Sequence, residues 1–149
     1  VARCARLNFQ RLTEPQMRQV LQRVDRQDLL DRPALLALAQ GSPGAAIDHW
    51  DYLEAIPEAL VRSLLVPPRS RLTALELAQQ VSSQLDPEAQ RWLVAYLQQL
   101  HWQDNTRPIG DRDRWLRRLE TVHQQLTNFI HPRLVWQVAL LDWAAGFGQ

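Results

Sequence analysis

The sequence predicts an all-helical protein, and three observations carry that reading. Apolar residues recur at three- and four-residue spacings in one window after another. Helix-start signals, in which Ser, Thr, Asp or His stands just before a proline-led or apolar-periodic run, appear along the whole chain. Beyond the first few residues there is no alternating apolar–polar run bounded by a hairpin turn.

The elements follow in order. Arg6 to Phe9 is expected to finish a short strand, with Leu7 and Phe9 on one face. Thr13-Glu14-Pro15-Gln16 reads as a capping box, in which Thr13 accepts from the backbone of Gln16 and Gln16 reaches back. Met17, Val20, Leu21 and Val24 then mark the first full helix. Asp31 before Pro33 opens the next, through Leu35, Leu36 and Leu38, and Gly41 closes it. Ser42-Pro43 caps a third short helix holding Ala45, Ala46 and Ile47.

From about Trp50 the helices lengthen. Leu53, Ile56, Leu60 and Leu64 form a stripe through Pro57, which either kinks that helix or starts a new one. Val66-Pro67-Pro68-Arg69 is a break. Ser70 caps a helix with Leu72, Leu75, Ala78 and Val81 along one side. Asp86-Pro87 opens another with Trp92, Leu93, Tyr96, Leu97 and Leu100. Gln103 to Gly110 is a loop. Asp111 is expected to cap a long helix with Trp115, Leu119, Val122, Leu126 and Phe129. His131-Pro132 opens the last, whose residues Leu134 to Leu141 are apolar nearly all round and belong in a core. The division falls near His49, with three short helices before it and about five longer ones after. The second part is long enough to bury a helical-bundle core.

Composition narrows the function classes. The chain has 149 residues, is 46% hydrophobic and carries a formal net charge of +1, which suits a globular fold rather than disorder. It begins with Val1, as expected of a piece of a longer protein. All 17 basic residues are arginine, interspersed with 16 acidic ones, so no large basic field results. Cys4 is the single cysteine. It excludes an internal disulfide and suits a reducing cytosol. No apolar run reaches the roughly 18–20 residues of a membrane span.

Candidate chemistry is sparse. No phosphate-cradling glycine loop is present. His49, His101, His123 and His131 show no metal-ligand spacing, so capping or solvent exposure is the expected fate of each. No nucleophile signature appears. Arg112, Arg114, Arg117 and Arg118 surround Trp115 on one helix, a pattern able to contact phosphates. Asp111, Asp113 and Glu120 interleave at pairing distance, which favours a solvated face. Trp92, Trp115 and Trp136 fall on or beside the apolar stripes and read as core. Trp50, Trp102 and Trp143 are less well placed, and any of them that is exposed would mark a protein interface.

Two short strings carry a resemblance. Ala2-Arg3-Cys4, followed by a strand ending at Phe9, and Ala39-Gln40-Gly41-Ser42-Pro43-Gly44-Ala45-Ala46-Ile47 resemble, in order and spacing, the clamp-loader branch of the AAA+ ATPases. The second string is most similar to the delta-prime subunits of bacterial DNA polymerase III. Pro132-Arg133-Leu134-Val135-Trp136 resembles the last helix of cyanobacterial members.

The resemblance implies an architecture. Residues 1–9 end an ATPase core, residues 10–49 form a small AAA+ lid domain, and residues 50–149 form a five-helix collar bundle that joins subunits into a ring. Family members carry a Ser-Arg-Cys motif whose arginine enters the neighbouring subunit's ATP site. Arg3 matches that arginine, where a guanidinium stabilises phosphate charge, and Ala2 stands in place of the serine. ATP-hydrolysing relatives have a sensor arginine where this chain has Gly44, so a non-catalytic stator is implied. No cofactor is then expected in this chain, ATP being bound by partner subunits.

The implied partners are the gamma/tau and delta subunits. The sliding clamp and primed DNA are engaged indirectly, no membrane is involved, and the location is the bacterial cytoplasm. Trp115, Leu134, Trp136 and Leu140 of the last two helices are the interface candidates. Two alternatives stand beside this reading. One is a nucleic-acid-binding module using the Arg112–Arg118 helix. The other is the remnant of an active gamma-type ATPase, against which Gly44 argues.

Overall fold

A computed structural model describes residues 12–104, 106, 109–128 and 130–146. The strand expected at Arg6–Phe9, the Ala2-Arg3-Cys4 string and Phe129 lie outside the described residues. Those described form helices and connecting turns, with no strand among them. The chain divides into two compact units, one ending at Asp51 and the other starting at Tyr52.

The first unit opens with α1, Glu14–Arg23. Its capping box is formed as expected: the Thr13 hydroxyl accepts from the Gln16 N–H, and Gln16 Oε1 accepts from the Thr13 N–H at 2.9 Å. The helix ends without a glycine. Asp25 takes the left-handed conformation at φ 59°. The N–H groups of Asp25 and Arg26 close on the carbonyls of Gln22 and Leu21, the two bonds of a Schellman motif.

A 3-10 turn at Gln27–Asp31 follows, absent from the sequence reading, and it buries Leu29. It corrects the expected cap. Asp31 is consumed in this turn, so Arg32 stands at the N-cap of α2, Pro33–Ala39, with no side-chain cap bond. Gln40 and Gly41, both at positive φ, end α2. Ser42 Oγ accepts from the Ala45 N–H at 3.2 Å and starts α3, Pro43–Ala55. α3 is longer than expected, because Asp48 to Asp51 contain no helix breaker, and it carries the chain from the first unit into the second.

In the second unit Ile56-Pro57 stops α3, and Pro57 is the N-cap of a fresh helix, α4, Glu58–Ser63. α5 spans Arg71–Gln84, with Ser70 Oγ accepting from the Thr73 N–H at 3.1 Å. α6 spans Pro87–Gln103, with Asp86 Oδ1 accepting from the Ala89 N–H at 2.7 Å. α7 spans Ile109–Thr127, and α8 spans Pro132–Ala144. The expected cap at Asp111 is corrected. α7 begins two residues earlier, so Asp111 lies inside the first turn, where its charge still opposes the positive end of the helix dipole. His131 is the N-cap of α8 but makes no side-chain cap bond.

α8 packs along α5 and α7, and α6 packs along α7. The face of α5 differs from the expected one. Ala74, Leu77, Ala78 and Val81 are buried, whereas Leu72 and Leu75 are exposed. Buried alanines at 74, 78 and 139 let helices approach closely, and α5 with α8 is the most extensive helix pairing in the unit. α8 is likewise only half enclosed. Val135, Trp136, Ala139, Leu140 and Trp143 are buried, but Leu134 and Val138 face outward.

Candidate interaction surfaces

The interior of the second unit is organised by its aromatic residues. Trp115 and Trp143 stack at 3.8 Å between ring centroids, and the His101 ring meets both edge-on. His101 is buried, contrary to the solvent exposure or capping expected of it. Its Nε2 lies 3.0 Å from the Trp115 indole N–H and 3.2 Å from the Leu64 carbonyl. The indole can only donate, so the ring tautomer with Nε2 unprotonated satisfies it. A second cluster stacks Tyr52, Trp92 and Tyr96. Gln90 links α5, α6 and α8: its Nε2 donates to the Leu85 carbonyl at 2.9 Å, and its Oε1 accepts from Trp136 Nε1 at 3.0 Å.

These contacts decide the fate of the interface candidates. Trp115, Trp136 and Leu140 are at most 1% exposed and fill the unit's own core, so they present no surface to a partner. Leu134 is 54% exposed. Val138, one helical turn further on, is 46% exposed, so the two make a continuous apolar stripe on the outer side of α8. Of the less well placed tryptophans, Trp143 is buried and Trp50 is half-buried in the first unit, with the Arg26 and Arg32 guanidiniums over its ring. Trp102 is 63% exposed, with Arg112 against its ring.

The four arginines of α7 have different surroundings. Arg112 Nη1 donates to the Asp104 carbonyl at 3.0 Å, and so braces the turn before α7. Arg118 pairs with Asp142 on α8. Arg114 and Arg117 are exposed, and Trp115 points inward, away from any stacked base. Glu120, expected to pair along the helix, instead accepts from Gln98 on α6.

In the first unit Gly44 sits in the first turn of α3, with open space where a side chain would begin. Among the described residues no three His, Cys, Asp or Glu side chains gather as a metal site. No helix among them is long and apolar enough to cross a membrane.

The model of the family described as the cyanobacterial DNA polymerase III delta prime C-terminal domain matches residues 15–143, from α1 to the end of α8. The chain belongs to this family. Neither a curated protein nor a solved structure matches it. Family membership ties this delta-prime domain to DNA polymerase III, and hence to replication. The match spans both compact units and begins after Arg3, which lies outside the described residues.

Sequence reasoning could have found His101. It stands four residues after Leu97 and eight after Leu93, on the buried stripe of α6, where helical spacing alone points it inward. The sequence makes Leu134 both an interface candidate and part of a core segment, because α8 is apolar nearly all round and its spacing does not say which side faces outward.

Proposed function

We propose that the chain is a non-catalytic stator and assembly module of a clamp loader, joining gamma/tau and delta subunits in the ring that loads the sliding clamp on primed DNA. Membership of the delta-prime family carries this reading. The Leu134–Val138 stripe supports it: two exposed apolar side chains a turn apart are what a helix offers to a partner's helix. Gly44 supports the non-catalytic part, since no side chain there can touch a nucleotide. Arg3 is proposed to reach the ATP held by a neighbouring subunit, and this chain itself is proposed to hold no cofactor. The AAA+ lid is assigned to residues 10–49 and the collar to residues 50–149, a division that falls within α3. A bacterial cytoplasmic location follows from that role.

The test is light scattering of the chain mixed with gamma/tau and delta subunits from the same organism. A discrete hetero-complex is expected, and L134E/V138E should abolish it. A chain that ignores both subunits at micromolar concentration overturns the proposal.

A further inference from the structure

We infer that the outer face of α7 is a docking site for the phosphodiester backbone of nucleic acid, built from Arg114, Arg117, Arg118 and Thr121. These four residues line an open depression of about 340 Å³. They stand at i, i+3, i+4 and i+7, so they share one face of the helix over about 10 Å of its length. The guanidiniums of Arg114 and Arg117 have no ion-pair partner among the described residues, and Glu120 is hydrogen-bonded to Gln98 on α6. Arg118 is held by Asp142, which fixes its position at the edge of the depression and removes only one of the three positive charges.

The lining selects the ligand. Guanidinium forks match phosphate oxygens two at a time, and a threonine hydroxyl is a common phosphate donor. The Thr121 hydroxyl now donates to the Arg117 carbonyl at 3.2 Å, a bond within its own helix that it can exchange for a phosphate oxygen. No apolar side chain lines the depression, whereas a protein partner gains most of its affinity from apolar and aromatic anchors. Trp115, the aromatic that could have stacked a base, is 1% exposed. Recognition is therefore of backbone phosphates and independent of base sequence.

The inference does not rest on assembly with clamp-loader subunits, and its test separates the two. Fluorescence anisotropy of the whole chain with a labelled duplex, and with a labelled single strand of equal length, is followed from 50 to 200 mM salt. Binding should weaken steeply with salt. R114A/R117A should weaken it about tenfold or more and flatten the slope of log K against log salt by about 2, one for each lost phosphate contact. R114K/R117K, which keeps both charges, should restore most of the slope. R62A, removing an exposed arginine paired with Glu58 on α4, should change nothing. The circular dichroism and urea midpoint of R114A/R117A should match those of the natural chain, which shows the variant to be folded. Absence of salt-dependent binding by the natural chain overturns the inference. So does a slope unchanged in R114A/R117A, or displacement of the DNA by polyglutamate at equal charge concentration.

Discussion

Gln90 is 1% exposed, and both ends of its amide are engaged. One end takes up the Leu85 carbonyl where α5 stops, and the other takes the indole N–H of Trp136 on the last helix. A buried donor or acceptor stripped of its partner costs about 1–3 kcal/mol. Gln90→Leu fills nearly the same space and strips both groups at once. It should destabilise the chain by about 2–4 kcal/mol, read as a lower urea midpoint with an unchanged m-value. An effect under about 0.5 kcal/mol would mean that neither bond contributes. Residue-scale chemistry of this kind was only half legible. Trp92, Trp115 and Trp136 could be placed in the core because they sit on apolar stripes. His101 was legible from its spacing behind Leu93 and Leu97, but the role of Gln90 was not, because its partner Trp136 lies 46 positions away.

At the scale of elements, legibility followed the locality of the signal. Thr13, Ser42, Ser70 and Asp86 cap the helices assigned to them, because a cap needs only the three residues that follow. Asp31 and Asp111 failed for tertiary and register reasons. Burial of Leu29 drew Gln27–Asp31 into a 3-10 turn, and α7 gained two residues ahead of Asp111. The face of α5 was misread because two overlapping stripes are both apolar. The one carrying Ala74 and Ala78 is buried beside α8, while Leu72 and Leu75 stay at the surface. A paired substitution tests this account of the caps. Asp86→Ala removes a 2.7 Å bond to the Ala89 N–H and should cost about 1 kcal/mol. Asp31→Ala removes no cap and should stay within about 0.5 kcal/mol of the parent. Equal losses in thermal or urea unfolding would show that Asp31 stabilises α2 after all.

For the whole molecule, the decisive distinction is between apolar residues that hold a unit together and those left over for a partner. The last helix mixes the kinds at adjacent positions: Leu134 and Val138 outside, Val135, Trp136, Ala139 and Leu140 inside. Loss of a complex after an arbitrary apolar change in this helix would therefore say little, since an unfolded subunit also fails to assemble. The two classes should separate cleanly in stability. Trp136→Ala opens a cavity and orphans Gln90 Oε1, and should cost about 3–5 kcal/mol. L134E/V138E places charges where water already reaches, and the isolated chain should unfold within about 0.5 kcal/mol of the parent. If L134E/V138E also destabilises the isolated chain by several kcal/mol, the stripe belongs to the fold of this chain, and its effect on assembly would be indirect. If the chain stays folded and assembly is lost, the surface that α8 leaves uncovered is the surface a neighbouring subunit covers.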